Sequence, residues 1–332
     1  MLVDGKWTAD WHPVQKADEK GRFVRQVSEF RNWITPDGKP GPMGSGGFVA
    51  EPGRYRLYVA LICPWASRTL IARKLKGLDR IIPITVVNPK LGDQGWRFGG
   101  YRGANEDPLH GAEFVHELYS RADAHYTGRA TVPVLWDTKQ DVMVNNESAD
   151  IVRMFDTAFE GIAPSDFRLY PEDLAKQIDE LNARLYEKLN NGVYRAGFAS
   201  SQDAHDEAIE GVFEMLDELE DRLDGKFLFG NCLTETDIRA FVTLVRFDAA
   251  YHGLFKTNLR HIADYPRLSA FLERMLRVPG VSETVDLDHI KQGYYSIKAL
   301  NPLGIVPAGP RHVVDLLATG QKAEESEMRR AS

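Results

Sequence analysis

The chain has 332 residues, 43% hydrophobic and 27% charged, which suits two domains of ordinary size and excludes wholesale disorder. Its formal net charge of −7 excludes general nucleic-acid binding, which needs a net positive surface. Two cysteines, Cys63 and Cys232, are too few for a disulfide framework and point to a reducing cytoplasm.

Residues 1–50 read as an irregular extension. Gly38, Pro40, Gly41, Pro42, Gly44, Gly46 and Gly47 break any periodicity, and no Gly-Lys-Ser/Thr marks a phosphate loop. The opening Met1 to Trp7 has no apolar leader core, so no signal peptide is expected. Trp7, Trp11, Phe23, Phe30 and Trp33 suggest an arm that packs on something.

Residues 51–165 alternate strand and helix signals. Arg56–Ala60 reads as a strand, Pro64–Lys76 as a helix and Ile81–Val87 as a second strand rich in β-branched residues. A helix is expected near Glu113–Asp123, a hairpin over Val132–Trp136 and Val142–Val144, and a helix over Ser148–Phe159. That order specifies an α/β sandwich with a mixed sheet. The longest apolar stretch, Leu57 to Cys63, is far short of the about 20 residues of a membrane helix.

Residues 166–310 form the second domain, with helical periodicity over most of it. Leu174, Ile178, Leu181, Leu185 and Leu189 recur at helical spacing, as do Ile209, Phe213, Leu216, Leu219 and Leu223. Thr234-Glu235-Thr236-Asp237 is a capping-box variant opening a third helix, and Ser269–Val278 is a fourth, stopped by Pro279-Gly280. The tail 311–332 reads as flexible. Charge is uneven: residues 172–224 carry 15 acidic and 5 basic side chains, residues 51–100 carry 9 basic and 3 acidic. The basic stretch surrounds Cys63, where an anion or a thiolate is favoured.

Cys63 ends an apolar strand and precedes Pro64, a favoured first helical residue, with Arg68 one turn on. A helix N-terminus stabilises a thiolate, so this is a nucleophile's position; a core cysteine at a strand end is the alternative. Ala66 stands where a Cys-x-x-Cys site would have its second thiol. A mixed disulfide on Cys63 therefore needs an external thiol, for which anionic glutathione is suited. Val132-Pro133 ahead of a strand, with Glu147-Ser148 at a helix start, suits a thioredoxin-type half. A cis Val132–Pro133 bond would expose the Val132 backbone to an extended peptide, and Glu147 and Ser148 would hold its α-amino and α-carboxylate groups. The alternative is an edge proline and an ordinary helix cap. His110, His116 and His125 lack metal-ligand spacing, and no Gly-x-Gly-x-x-Gly follows the first strand, so neither a metal nor a nucleotide cofactor is expected.

These strings resemble the glutathionyl-hydroquinone reductases, the Xi class of the glutathione transferase superfamily. The resemblance rests on Tyr58–Leu70 around Cys-Pro-Trp-Ala, Gly95-Trp96, Thr131–Asp137, Asn146–Ala149, Asn190-Asn191-Gly192-Val193-Tyr194, Leu244–Asp248 and Asn301–Ile305. It implies a thioredoxin-like domain followed by an all-helical domain, a homodimer, and removal of glutathione from glutathionyl-hydroquinones. It implies Cys63 as nucleophile, Tyr194 as proton donor and acceptor, and Tyr251 and Tyr294 as groups favouring the thiolate. It further implies Trp96, Arg129, Val132, Glu147 and Ser148 as glutathione ligands and Tyr295 as a substrate-ring contact. Taken alone, Tyr194 reads as closing a helix and Tyr251 as core packing. Two rival functions remain open: a cysteine-type thiol transferase or dehydroascorbate reductase, and a non-catalytic glutathione-transferase-like interaction module. The intact Cys63, Trp96 and Glu147-Ser148 set weighs against the second.

Overall fold

The computed structural model describes residues 1–9, 17–165 and 167–318. Trp11 and residues 319–332 of the expected tail lie outside the described residues. The chain divides into two compact units, Met1–Trp11 with Gln26–Phe167, and His12–Arg25 with Arg168–Ser332.

The first unit is built on a four-stranded sheet. Its strands are β3 (Tyr55–Val59), β4 (Ile84–Val86), β5 (Val134–Asp137) and β6 (Val142–Asn145), in the order β4-β3-β5-β6. β3 pairs parallel with β4 and antiparallel with β5, and β5 pairs antiparallel with β6. β4 is shorter than expected because Ile81 and Ile82 donate their N–H groups to Leu78 in a turn, and Pro83 has none to offer. Helices α1 (Pro64–Leu75) and α3 (Ser148–Thr157) pack on each other, and α2 (Val115–Ala122) packs on β6.

The N-terminal extension is more ordered than its glycine and proline content suggests. A short hairpin pairs β1 (Leu2–Val3) with β2 (Lys6–Trp7). Its turn holds Asp4 and Gly5 at φ of 50° and 71°, and a Cβ on Gly5 would lie 1.9 Å from the Ala124 carbonyl oxygen. Leu2 is fully buried and exchanges both backbone hydrogen bonds with Gly128. Further along, Asn32 N–H donates to Val144 and Asn146 N–H donates to Phe30, so the arm continues the sheet beyond β6. An edge strand offers unpaired backbone groups, and these satisfy the arm.

The second unit is helical: α4 (Ala175–Leu185), α5 (Gly192–Gly197), α6 (Gln202–Arg222), α7 (Glu235–Arg246), α8 (His252–Leu254), α9 (Pro266–Leu276) and α10 (Leu287–Tyr294). Every residue of α7 except Arg239 is buried, which makes it the core helix. α9 begins at Pro266, ahead of the expected start, because Tyr265 serves as its cap and Pro266 takes the first position. α10 went unforeseen; Asp286 caps it by accepting the His289 N–H at 2.9 Å. Residues 311–318, the start of the tail expected to be flexible, are helical, with Val313 and Leu317 buried one turn apart. Among the described residues no helix is long and apolar enough to cross a membrane.

Burying the start of α7 strands the N–H and O–H of its cap Thr234, and the nearby Leu228 N–H, unless something accepts them. Asp237 does so, taking Thr234 N–H at 2.8 Å, Thr234 O–H at 3.0 Å and Leu228 N–H at 2.8 Å. Asp237→Ala leaves these donors unpaired in a fully buried place. It is expected to cost about 2–4 kcal/mol in urea unfolding, against under about 1 kcal/mol for an exposed carboxylate such as Asp224→Ala.

Candidate active site

Strand polarity gathers the first cluster. The C-terminal ends of β3 and β6 and the N-terminal end of β5 lie at one end of the sheet. The chain there continues into Cys63 after β3 and Glu147-Ser148 after β6, while Val132-Pro133 leads into β5. β4 runs parallel to β3, and the segment after it carries Trp96, whose carbonyl accepts the Val115 N–H at 2.9 Å.

Cys63 is the N-cap of α1, in extended backbone at φ −75° and ψ 117°, with Pro64 following. The first turn of α1 holds no acidic residue, and the thiol donates to the Val132 carbonyl at 3.5 Å. The positive potential of a helix N-terminus favours a thiolate. Arg68 is buried with its guanidinium 4.4 Å from the Trp65 ring centre, stacked on that ring. The Val132–Pro133 bond is cis.

Glu147 caps α3, its carboxylate accepting the Ala149 N–H at 3.1 Å and hydroxyl protons from Ser148 at 3.4 Å and Ser28 at 3.0 Å. Ser148 is buried beside it. Ser28 belongs to the arm, and no sequence signal linked it to Glu147. Arg129 is fixed through its backbone: its N–H donates to Gln26 Oε1 at 3.0 Å and its carbonyl accepts the Tyr126 hydroxyl at 3.2 Å.

The second cluster lies in the helical unit. Two π-helical turns, Tyr186–Asn190 and Phe247–Tyr251, interrupt the helices that carry it. Such one-turn widenings re-aim the side chains that follow. After the first, Asn190 donates to the Arg239 carbonyl and to Thr243 Oγ1, both at 2.8 Å, tying the turn to α7. Asn191 accepts from Arg25 Nε at 2.7 Å, and Tyr194 follows on α5. The second turn ends in Tyr251, and α10 ends in Tyr294.

The three phenols form a chain. The Tyr294 hydroxyl lies 2.6 Å from that of Tyr194 and 2.7 Å from that of Tyr251. Either oxygen can donate in each link, so the chain can reverse direction and relay a proton. Burial pushes the phenols of Tyr251 and Tyr294 well above their usual pKa, keeping both protonated at neutral pH. Tyr194 is only half-buried and has the Arg25 guanidinium 4.8 Å from its ring centre. Tyr295 is not joined to this trio; its carbonyl accepts from Asn301 Nδ2 at 2.7 Å, and burial raises its phenol pKa.

The histidines singled out in the sequence have separate partners. His116 stacks on Trp7 with ring centres 4.6 Å apart, while His110 pairs with Asp141 and His125 with Asp4, each at 2.7 Å. Among the described residues no three His, Cys, Asp or Glu side chains gather as a metal site.

Family models for the glutathione S-transferase N-terminal domain and C-terminal domain match residues 62–158 and 202–274. The chain is 50% identical over 318 residues to the glutathionyl-hydroquinone reductase YqjG of Escherichia coli, covering 95% of this chain and 96% of that protein. The glutathione-bound structure of YqjG aligns with a TM-score of 0.86 at 49% identity, covering 93% of this chain and 95% of the other. The glutathionyl-hydroquinone reductase PcpF of Sphingobium chlorophenolicum is 46% identical over 314 residues, or 93% of this chain and 96% of its own. The crystal structure of the glutathione S-transferase Xi of Phanerochaete chrysosporium aligns with a TM-score of 0.85 at 46% identity, covering 89% and 95% of the two chains.

The two thiols serve as each other's control. Burial, with Asp237 and Asp173 adding repulsion, pushes the Cys232 thiol up and thins its thiolate at any given pH. With iodoacetamide at pH 7, peptide mapping is expected to show Cys63 alkylated at least about tenfold faster than Cys232. Equal rates would remove the case for an activated Cys63.

Proposed function

Since the chain belongs to the glutathionyl-hydroquinone reductases, the Xi class of the glutathione transferase superfamily, we propose that it uses glutathione to reduce glutathionyl-hydroquinones to hydroquinones, with Cys63 as the nucleophile. The observation that carries the reading is Cys63 itself, capping α1 with its sulfur at the Val132 carbonyl. The bound glutathione of the E. coli relative supports the ligand.

In this reading the γ-glutamyl end of glutathione meets Glu147 and Ser148 at the start of α3, where a helix N-terminus favours a carboxylate. The Val132 backbone pairs with the cysteinyl part, and Trp96 and Arg129 complete the glutathione contacts. Tyr295 meets the substrate ring.

The chemistry balances as follows. Tyr194 protonates the ring carbon that bears sulfur and takes up the proton of the ring hydroxyl in exchange, giving the neutral keto tautomer. The Cys63 thiolate attacks the glutathione sulfur, an S–S bond forms, and the C–S bond breaks with its electron pair going to the ring. The ring leaves as a hydroquinone, reduced by two electrons. A second glutathione thiolate attacks the mixed disulfide, releasing oxidised glutathione and restoring Cys63. Tyr251 and Tyr294, held protonated by burial, supply the hydrogen-bonded chain that orients the Tyr194 hydroxyl for this exchange. We read the enzyme as a cytoplasmic homodimer that needs no metal or nucleotide.

Two substitutions test this. Cys63→Ser is expected to abolish the glutathione adduct that mass spectrometry detects after a glutathionyl-hydroquinone is added; turnover near the wild-type rate would overturn the nucleophile. Tyr194→Phe is expected to lose about 10²–10⁴-fold in rate on glutathionyl-hydroquinones while still reducing simple mixed disulfides, whose thiolate leaving groups need no proton on carbon. Equal losses on both substrates would reject the proton transfer and favour the thiol-transferase alternative.

A further inference from the structure

Tyr119 lies on α2, is fully buried, and takes no part in the chemistry above. Its hydroxyl nonetheless reaches two of the segments assigned to glutathione. It donates to the Thr131 carbonyl at 2.9 Å and accepts from the Thr131 N–H at 3.2 Å and from Asn146 Nδ2 at 3.0 Å. The Thr131 hydroxyl lies 3.2 Å away as a further partner, so the one proton and two lone pairs of the phenol are wholly taken up between Thr131 and Asn146. Because the single proton goes to Thr131, the group facing it from Asn146 must be the amide nitrogen, which fixes the orientation of that side chain.

We propose that Tyr119 is a positioning residue whose hydroxyl sets the spacing between Val132 and Glu147-Ser148, and so the affinity for the γ-glutamyl-cysteinyl backbone of glutathione. Thr131 and Asn146 immediately precede these residues, so the phenol holds both banks of the cradle by their neighbours. Nothing else among the described residues holds the Asn146 side chain, since its Oδ1 is buried and accepts no hydrogen bond. The phenol is itself fixed, with the Phe30 ring edge-on at 5.7 Å and the Tyr126 ring at 5.0 Å. Burial pushes its pKa up, so the donor to Thr131 persists at working pH.

The proposal rests on the glutathione reading above, and the experiment separates the two. Calorimetric titration with S-methylglutathione, which cannot react at Cys63, is run on wild type and Tyr119→Phe. The variant removes only the oxygen and is expected to weaken binding about 10–50-fold, with KM for glutathione rising in parallel and kcat changing less than about threefold. Asn146→Ala removes one arm of the clamp and is expected to weaken binding about 3–10-fold, which keeps the test in hand should Tyr119→Phe fail to fold. Wild-type binding with unchanged affinity in the variants would overturn the clamp alone. A wild type that binds no S-methylglutathione would overturn the glutathione reading and the clamp with it.

Discussion

Strand polarity is the constraint on which the first cluster depends. A parallel β3–β4 pair flanked by two antiparallel strands forces the turns after β3 and β6 and the turn before β5 to one end of the sheet. Residues 63, 132 and 147 are far apart in the chain, yet three backbone ladders deliver them together. None of these ladders needs a functional side chain to form. The sheet's buried Val and Leu residues stabilise it through apolar burial, and the candidate site inherits its geometry from that packing.

The helical unit solves a different problem. A phenol must be neutral to donate, and it must also be held where its proton is needed. Burial of Tyr251 and Tyr294 meets the first requirement. The two π-helical turns meet the second, because a regular α-helix through residues 186–194 or 247–254 would present these side chains at other angles. The cost of each irregular turn is offset locally: Asn190 bonds to α7, and Asp248 accepts the Ile262 N–H at 2.8 Å.

Much of this was legible in the residues. The apolar run before Cys63, Pro64 at the first helical position and the Thr234-to-Asp237 cap each carry a local rule that the structure obeys. The tyrosine trio was reachable only through family resemblance, because Tyr194, Tyr251 and Tyr294 sit on three helices and no spacing rule joins them. α10 was missed because Leu287–Tyr294 is short and holds few apolar residues at helical spacing. The contacts of Ser28 and Gln26 with Glu147 and Arg129 were invisible for a plainer reason: each joins residues more than 100 positions apart through single polar atoms. Long-range polar contacts leave no periodic trace in a sequence.

The arm that continues the sheet past β6 ties protection to chemistry. Residues 28–32 close an edge that would otherwise template pairing with another chain, and Arg31 forms an ion pair with Asp150 on α3. The same five residues put Ser28 on the Glu147 carboxylate. Shortening the chain from its N-terminus past residue 32 therefore does not yield a smaller version of the same protein. It yields a protein whose sheet is open to self-association and whose α3 cap has lost a partner, so insolubility and a loosened start of α3 would arrive together and from one cause.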